Sequence, residues 1–347
     1  MNALKKILIS LRTVVLTVLL LTMTSGEVQA KTAPYLYPLP APIIDVFPDE
    51  GLATDMAKNL KKESINDVIN QDDLDELISL GFETESITNE SIKLLERALF
   101  NNVTSISLME FGDGLTEFPD ITTIPHLNTL FFNSPPDGVS RSLSLPDYQN
   151  YPEMNAITMP GHTLIGSIPD FTGMPVLKSL DISHMGITSD EVPDFQNIPK
   201  LTTLDLSFNN LTNTMVNFTN LPHLSRLNLD FNYLNELPSN VLSSIFVQNQ
   251  EGTVPDQTIS QGETCTIELP IYFQMAEIDM LVNPTVTGAY VTDNVNYVPI
   301  TANVATESFT LDTSKLSPGV YKFNVQFNKA YPVTQEGCVY DWELTIN

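Results

Sequence analysis

The chain has 347 residues, 42% of them hydrophobic, which is enough for two or three structural units around a sizeable core. Its 42 Asp+Glu against 16 Lys+Arg give a formal net charge of −26. A surface this acidic repels phosphate backbones and anionic lipid. That argues against nucleic acid and leaves basic proteins, cations or neutral sugars as partners; the plainer reading is that acidity keeps the chain soluble.

Lys5, Lys6 and Arg12 precede an apolar run from Val14 to Met23, and Val28-Gln29-Ala30 supplies small residues for cleavage. Residues 1–30 are therefore predicted to be a signal peptide, the run being too short to span a bilayer comfortably. No second apolar stretch of membrane length and no sorting motif follow. The expectation is a secreted, extracellular protein with no stable membrane insertion after cleavage, and with non-covalent cell-wall association as an option. Residues 31–43, with four prolines, are predicted to be an extended tether.

A small helical cap is expected over 44–80. Pro48-Asp49-Glu50 opens one helix with Leu52, Met56 and Leu60 on its face. Asp72-Asp73 opens a second with Leu74, Leu77 and Ile78. The acidic run Asp72–Glu76 lacks calcium-loop spacing and reads as helix capping, so no metal site is expected.

Residues 77–246 then repeat the template L-x-x-L-x-L-x-x-N-x-L about seven times, starting at 77, 103, 127, 154, 177, 201 and 224. The clearest copies are Leu201, Leu204, Leu206, Asn209, Leu211 and Leu224, Leu227, Leu229, Asn232, Leu234. Met185 and His162 stand where two earlier copies would carry Asn, and an insertion follows Phe132. Pro119-Asp120, Pro146-Asp147, Pro169-Asp170 and Pro193-Asp194 recur on the return legs, with Val216-Asn217 a degenerate copy. The pattern predicts an α/β leucine-rich-repeat solenoid with a curved parallel sheet, its turns burying each other's apolar edges and its Asn positions forming an internal ladder. From 247 to 347 strand-like alternation takes over: Thr264–Phe273, Met280–Val286, Val298–Val304, Ser308–Leu311, Val320–Phe327 and Val339–Ile346. This reads as an all-β sandwich closing the second end. Cys265 and Cys338 suggest a disulfide in an exported chain, closing a loop of about 74 residues worth roughly 4 kcal/mol. Two buried thiols are the alternative.

The N-terminal motif Val46-Phe47-Pro48-Asp49, the segment Val68-Ile69-Asn70-Gln71-Asp72-Asp73-Leu74, the repeats at 201–234 and the tail opening Thr253–Ile259 together resemble the internalin-like proteins of Gram-positive bacteria. The resemblance implies a secreted binding protein with an immunoglobulin-like C-terminal domain, a protein partner on the concave face, and a role in adhesion or virulence. Two departures are the longer, uneven repeats and the missing wall anchor. A lone Trp342-Glu343-Leu344 is similar to a wall-binding signature. It supports an alternative in which the C-terminal domain of an envelope structural protein binds wall glycans or partner wall proteins.

Residues between the repeat leucines should face the concave side of the sheet. The candidate partner-binding set there is Phe131, Asp181, His184, Asp205, Phe208, Arg226, Asn228, Asp230 and Phe231. Phe208 and Phe231 hold equivalent places one turn apart, with His184 one turn before, and a stacked aromatic row would supply interface hot spots. Packing of these rings against their neighbours is the alternative. Asp181, Asp205 and Asp230 are expected to form a negative strip facing a basic partner, unless it is merely solvated. The four histidines are scattered, and no zincin, nucleophile-elbow or phosphate-loop motif occurs. No enzymatic activity and no cofactor are expected.

Overall fold

The leucines at the fourth repeat position resolve into the inward column of one sheet. The structure, a computed structural model, describes residues 35–133, 140–145, 151–212, 218–234, 245–246, 250–253, 256–268, 285–287, 290–292, 297–303, 308–328 and 338–347. The expected signal peptide, the first residues of the tether, Pro146-Asp147 and Val216-Asn217 lie outside the described residues.

Strands β3 (Ser79–Phe82), β4 (Ser105–Leu108), β5 (Thr129–Phe132), β7 (Ala156–Thr158), β9 (Ser179–Asp181), β10 (Thr203–Asp205), β11 (Arg226–Asn228) and β12 (Ile245–Phe246) form one eight-stranded sheet in that spatial order. Every pairing is parallel, and register aligns Leu80, Ile106, Leu130, Ile157, Leu180, Leu204 and Leu227. All seven are buried, each contributing about 1.5–3 kcal/mol of apolar burial. Inside the insertion, β6 (Ser142–Leu143) and β8 (Thr163–Leu164) pair as a separate two-stranded sheet.

The predicted ladder is present and runs one rung further than the sequence pattern. Asn209 accepts from Met185 N and Ile187 N, both at 3.0 Å, and donates to Ile182 O at 3.1 Å. Asn232 repeats this on Leu211 N at 2.9 Å and Leu206 O at 3.0 Å. Gln250 then takes Leu234 N at 3.0 Å and donates to Leu229 O at 2.8 Å, its longer side chain filling the same role. At the Asn position two turns before Asn209, His162 is fully buried, with Nε2 3.1 Å from Asn133 O. Burial holds its imidazole down at about 4, so it is neutral at pH 7.

Two of the return legs turn at Pro-Asp-Phe, 169–171 and 193–195. Asp170 Oδ1 accepts from Thr172 N at 3.0 Å and from its hydroxyl at 2.6 Å, and Asp194 Oδ1 accepts from Gln196 N at 3.2 Å. Phe171 and Phe195 follow in left-handed backbone, φ 55° and 53°, with rings 0% and 2% exposed.

At the first end, the helix Glu50–Asn59 starts as expected, with Asp49 Oδ1 accepting from Leu52 N at 2.8 Å. The helix also closes the sheet. Asn59 donates to Gly81 O at 2.7 Å and accepts from Gly81 N at 2.8 Å, while buried Asp55 accepts from Glu83 N and Thr84 N. These side chains give the open edge of β3 the partners a further strand would supply. The second helix is shorter than expected, Gln71–Asp75, capped by Asn70 and Asp73. It stops before Ile78, which is 60% exposed rather than on a buried face. The tether is shorter too: β1 (Ala41–Pro42) pairs antiparallel with β2 (Val68–Ile69), and Ala41 and Ile43 are buried.

The C-terminal strands fall into two sheets. One orders β13 (Glu251–Thr253), β21 (Cys338–Ile346), β20 (Gly319–Asn328) and β16 (Thr285–Thr287), with β14 (Gln257–Ile259) also on β21. The other orders β15 (Thr264–Glu268), β19 (Ser308–Asp312), β18 (Tyr297–Asn303) and β17 (Tyr290–Thr292). The expected bridge from Cys265 to Cys338 is not made. Cys265 is a buried free thiol in β15, donating to Gln257 Oε1 at 3.0 Å, while Cys338 lies in β21 of the other sheet. Burial pushes the Cys265 thiol up to about 11, so it remains protonated.

Candidate functional site

The concave strands end in a turn that each repeat builds the same way. Asp205 Oδ1 accepts from Ser207 N at 2.9 Å and from its hydroxyl at 2.6 Å; Asp181 does the same to Ser183 at 3.1 and 2.8 Å. Asn228 repeats it on Asp230 N at 3.1 Å. The next residue, His184, Phe208 or Phe231, swings into left-handed backbone, at φ 57°, 54° and 56°, and the residue after it, Met185, Asn209 or Asn232, is buried. One turn earlier the slot belongs to Gly161, φ 81°, whose N–H donates to Ser183 O just as Phe208 N donates to Asp230 O.

The expected aromatic row is formed. The rings of His184 and Phe208 stack with centroids 3.9 Å apart and planes 14° apart; Phe208 and Phe231 stack at 3.9 Å and 11°. Because the faces cover one another, the row presents ring edges to solvent, with Phe208 40% and Phe231 36% exposed. Burial holds the His184 imidazole below its ordinary value, against the opposing pull of Asp181 and Asp205. Burial raises the Asp181 carboxyl, and the Asp205 charge adds to it.

The negative strip differs from expectation. Register places Asp181, Asp205 and Asn228 in one column, with Asn228 Nδ2 donating to Asp205 Oδ2 at 2.9 Å. Asp230 stands two residues along, in the row of Ser183 and Ser207, because its repeat carries Asn in the carboxylate position. Phe131 shares the carboxylate column but is separated from Asp181 by Thr158, so it lies apart from the aromatic row. Arg226 turns its guanidinium over the Phe246 ring, 5.2 Å from the centroid. Phe246, beside Asn228 in the sheet register, and Tyr233 are 38% and 45% exposed and were not singled out from sequence. Tyr233 could have been found by its place directly after the ladder residue Asn232. Phe246 follows no copy of the template.

Fold and face together define a capped leucine-rich-repeat solenoid with an aromatic edge on its concave sheet. Residues 28–75 match the family described as bacterial adhesion/invasion protein N terminal, and residues 175–234 match leucine rich repeat. The Listeria monocytogenes internalin-like protein lmo2027 is 68% identical, at a TM-score of 0.79, over 90% of this chain and 99% of its own. InlP of the same organism is 58% identical, at 0.66, over 90% of this chain and 100% of its own. No curated protein matches the chain. The chain belongs to the internalin-like leucine-rich-repeat proteins. Such proteins are in general interaction scaffolds. Among the described residues no helix is long and apolar enough to cross a membrane.

Proposed function

We propose that the chain is exported, with residues 1–30 removed and residues 247–347 forming an immunoglobulin-like domain, and that it recognises a protein partner through the concave face of its last repeats, in adhesion to a host or neighbouring surface. The observation that carries this reading is the row His184–Phe208–Phe231. Three aromatic side chains occupy a backbone slot that glycine fills one turn earlier, and all three remain more than a third exposed. Left-handed backbone at a bulky residue costs on the order of 1–3 kcal/mol, which a partner interface would reward and folding alone does not require.

The test immobilises the mature chain and a Phe208→Gly/Phe231→Gly variant beside host-surface and cell-wall fractions. A captured protein whose affinity falls about thirtyfold or more in the variant is expected, corresponding to roughly 2 kcal/mol. Capture of wall glycan alone, indifferent to both substitutions, would make the protein an envelope component instead. Export is checked by N-terminal sequencing of the extracellular protein, which should begin at Lys31.

A further inference from the structure

Asp181 and Asp205 lie side by side in the sheet, half-buried, at the foot of the aromatic row. Their turn needs only an oxygen acceptor. Asn228 makes the same turn in the next rung with an uncharged amide, and its repeat folds into the same register. The two negative charges are therefore surplus to the fold. Neither carboxylate forms an ion pair among the described residues, and Arg226 of the same face is turned to Phe246. Beside this uncompensated pair stand the exposed edges of Phe208 and Phe231. Apolar ring edges flanked by half-desolvated carboxylates are complementary to one kind of surface: a cationic side chain next to an aliphatic or aromatic one.

From this complementarity we infer that the occupant of the face is a protein segment carrying Lys or Arg beside a large apolar residue, the cation seated between Asp181 and Asp205 and the apolar group against Phe208 and Phe231. The inference rests on the recognition reading above and adds the partner's chemistry to it. The chain's net charge of −26 would steer such a basic segment toward the face and make its association sensitive to salt. Seating a cation also relieves the repulsion between the two carboxylates.

The probe is a displayed library of random twelve-residue peptides, selected on the full exported chain. Enriched peptides are then measured on three proteins at 0.05 and 0.5 M salt: the parent, Asp181→Asn/Asp205→Asn, and Phe208→Gly/Phe231→Gly. The Asn variant keeps the turn acceptors, and a thermal melt confirms its fold. The expected result is enrichment of Lys or Arg adjoining an apolar residue, with at least a tenfold loss in each variant and a weaker salt dependence in the Asn variant. Peptides that need both phenylalanines but bind the Asn variant equally, or that carry acidic residues, overturn this inference and leave the recognition reading standing. Peptides indifferent to both variants, or no enrichment at all, overturn the two together.

Discussion

Phe195 and Phe208 share a residue type and a left-handed backbone, at φ 53° and 54°, yet one ring is 2% exposed and the other 40%. On the return leg the ring fills the space between turns, and its burial offsets the backbone cost by about 1.5–3 kcal/mol. On the concave edge the ring recovers only what stacking on its neighbours supplies, about 0.5–1.5 kcal/mol. The same local strain is thus part of folding in one place and is left to serve a surface in the other. Gly161, in the slot equivalent to Phe208, shows that the turn itself asks for no ring.

The contrast is broken most severely from inside. Phe195→Ala should cost about 3–5 kcal/mol, read as a large fall in urea midpoint. A loss below about 1 kcal/mol would mean that the return leg repacks and the two positions are alike. The two depressed histidines offer the same comparison through pH. His162 is buried and held at about 4, whereas His184 sits half-exposed in the stack. With an ordinary value of 6.5 in the unfolded chain, His162 is neutral in both states at pH 7 and carries no ionisation penalty there. As pH falls from about 6.5 to about 4 the unfolded chain takes the proton first, and stability drops on the order of 3 kcal/mol. His162→Asn should remove that part of the slope, which urea titrations at pH 7 and 4.5 on both proteins would read. Equal slopes would sink the assignment.

Smaller effects sharpen the other side. Phe208→Gly/Phe231→Gly should change the melting temperature little, since relief of the left-handed backbone offsets the lost stacking, even as partner affinity falls about thirtyfold. A collapse in stability comparable with Phe195→Ala would reassign the row to the core. Smallest is Asp181→Asn. Burial and the neighbouring Asp205 raise the Asp181 carboxyl, so its ionised form burdens the fold above its titration and not below it. The substitution should leave stability at pH 7 unchanged or slightly higher, and a clear decrease in the melt would show that the charge itself holds the turn.

Much of the solenoid was readable because its signal is repetition. Leu201–Leu211 and Leu224–Leu234 declare their inward leucines and their ladder amides by spacing alone, and the aromatic row at 184, 208 and 231 follows from the same phase. Gln250 was not readable. It completes the ladder after a shortened last turn, where the constant spacing on which the inference depends has ended. The sheet-edge cap by Asn59 and Asp55 was equally silent, because both lie in a helix that looks, by periodicity, merely amphipathic. Asp230 misled for the opposite reason. A carboxylate in the sequence window looked like the next rung, but strand register assigns the rung to Asn228.

The sequence by itself determined the repeat period, the inward apolar column, the helical start at Asp49 and the outward-facing aromatic positions, since each depends on local spacing that chain geometry enforces. Only the tertiary structure decided what meets across turns. It paired Asp181 with Asp205, stacked Phe208 between His184 and Phe231, left Cys265 a free thiol, and closed the sheet with Asn59. Those contacts join residues a repeat or more apart, and their partners are selected by register and burial, which no single stretch of sequence contains.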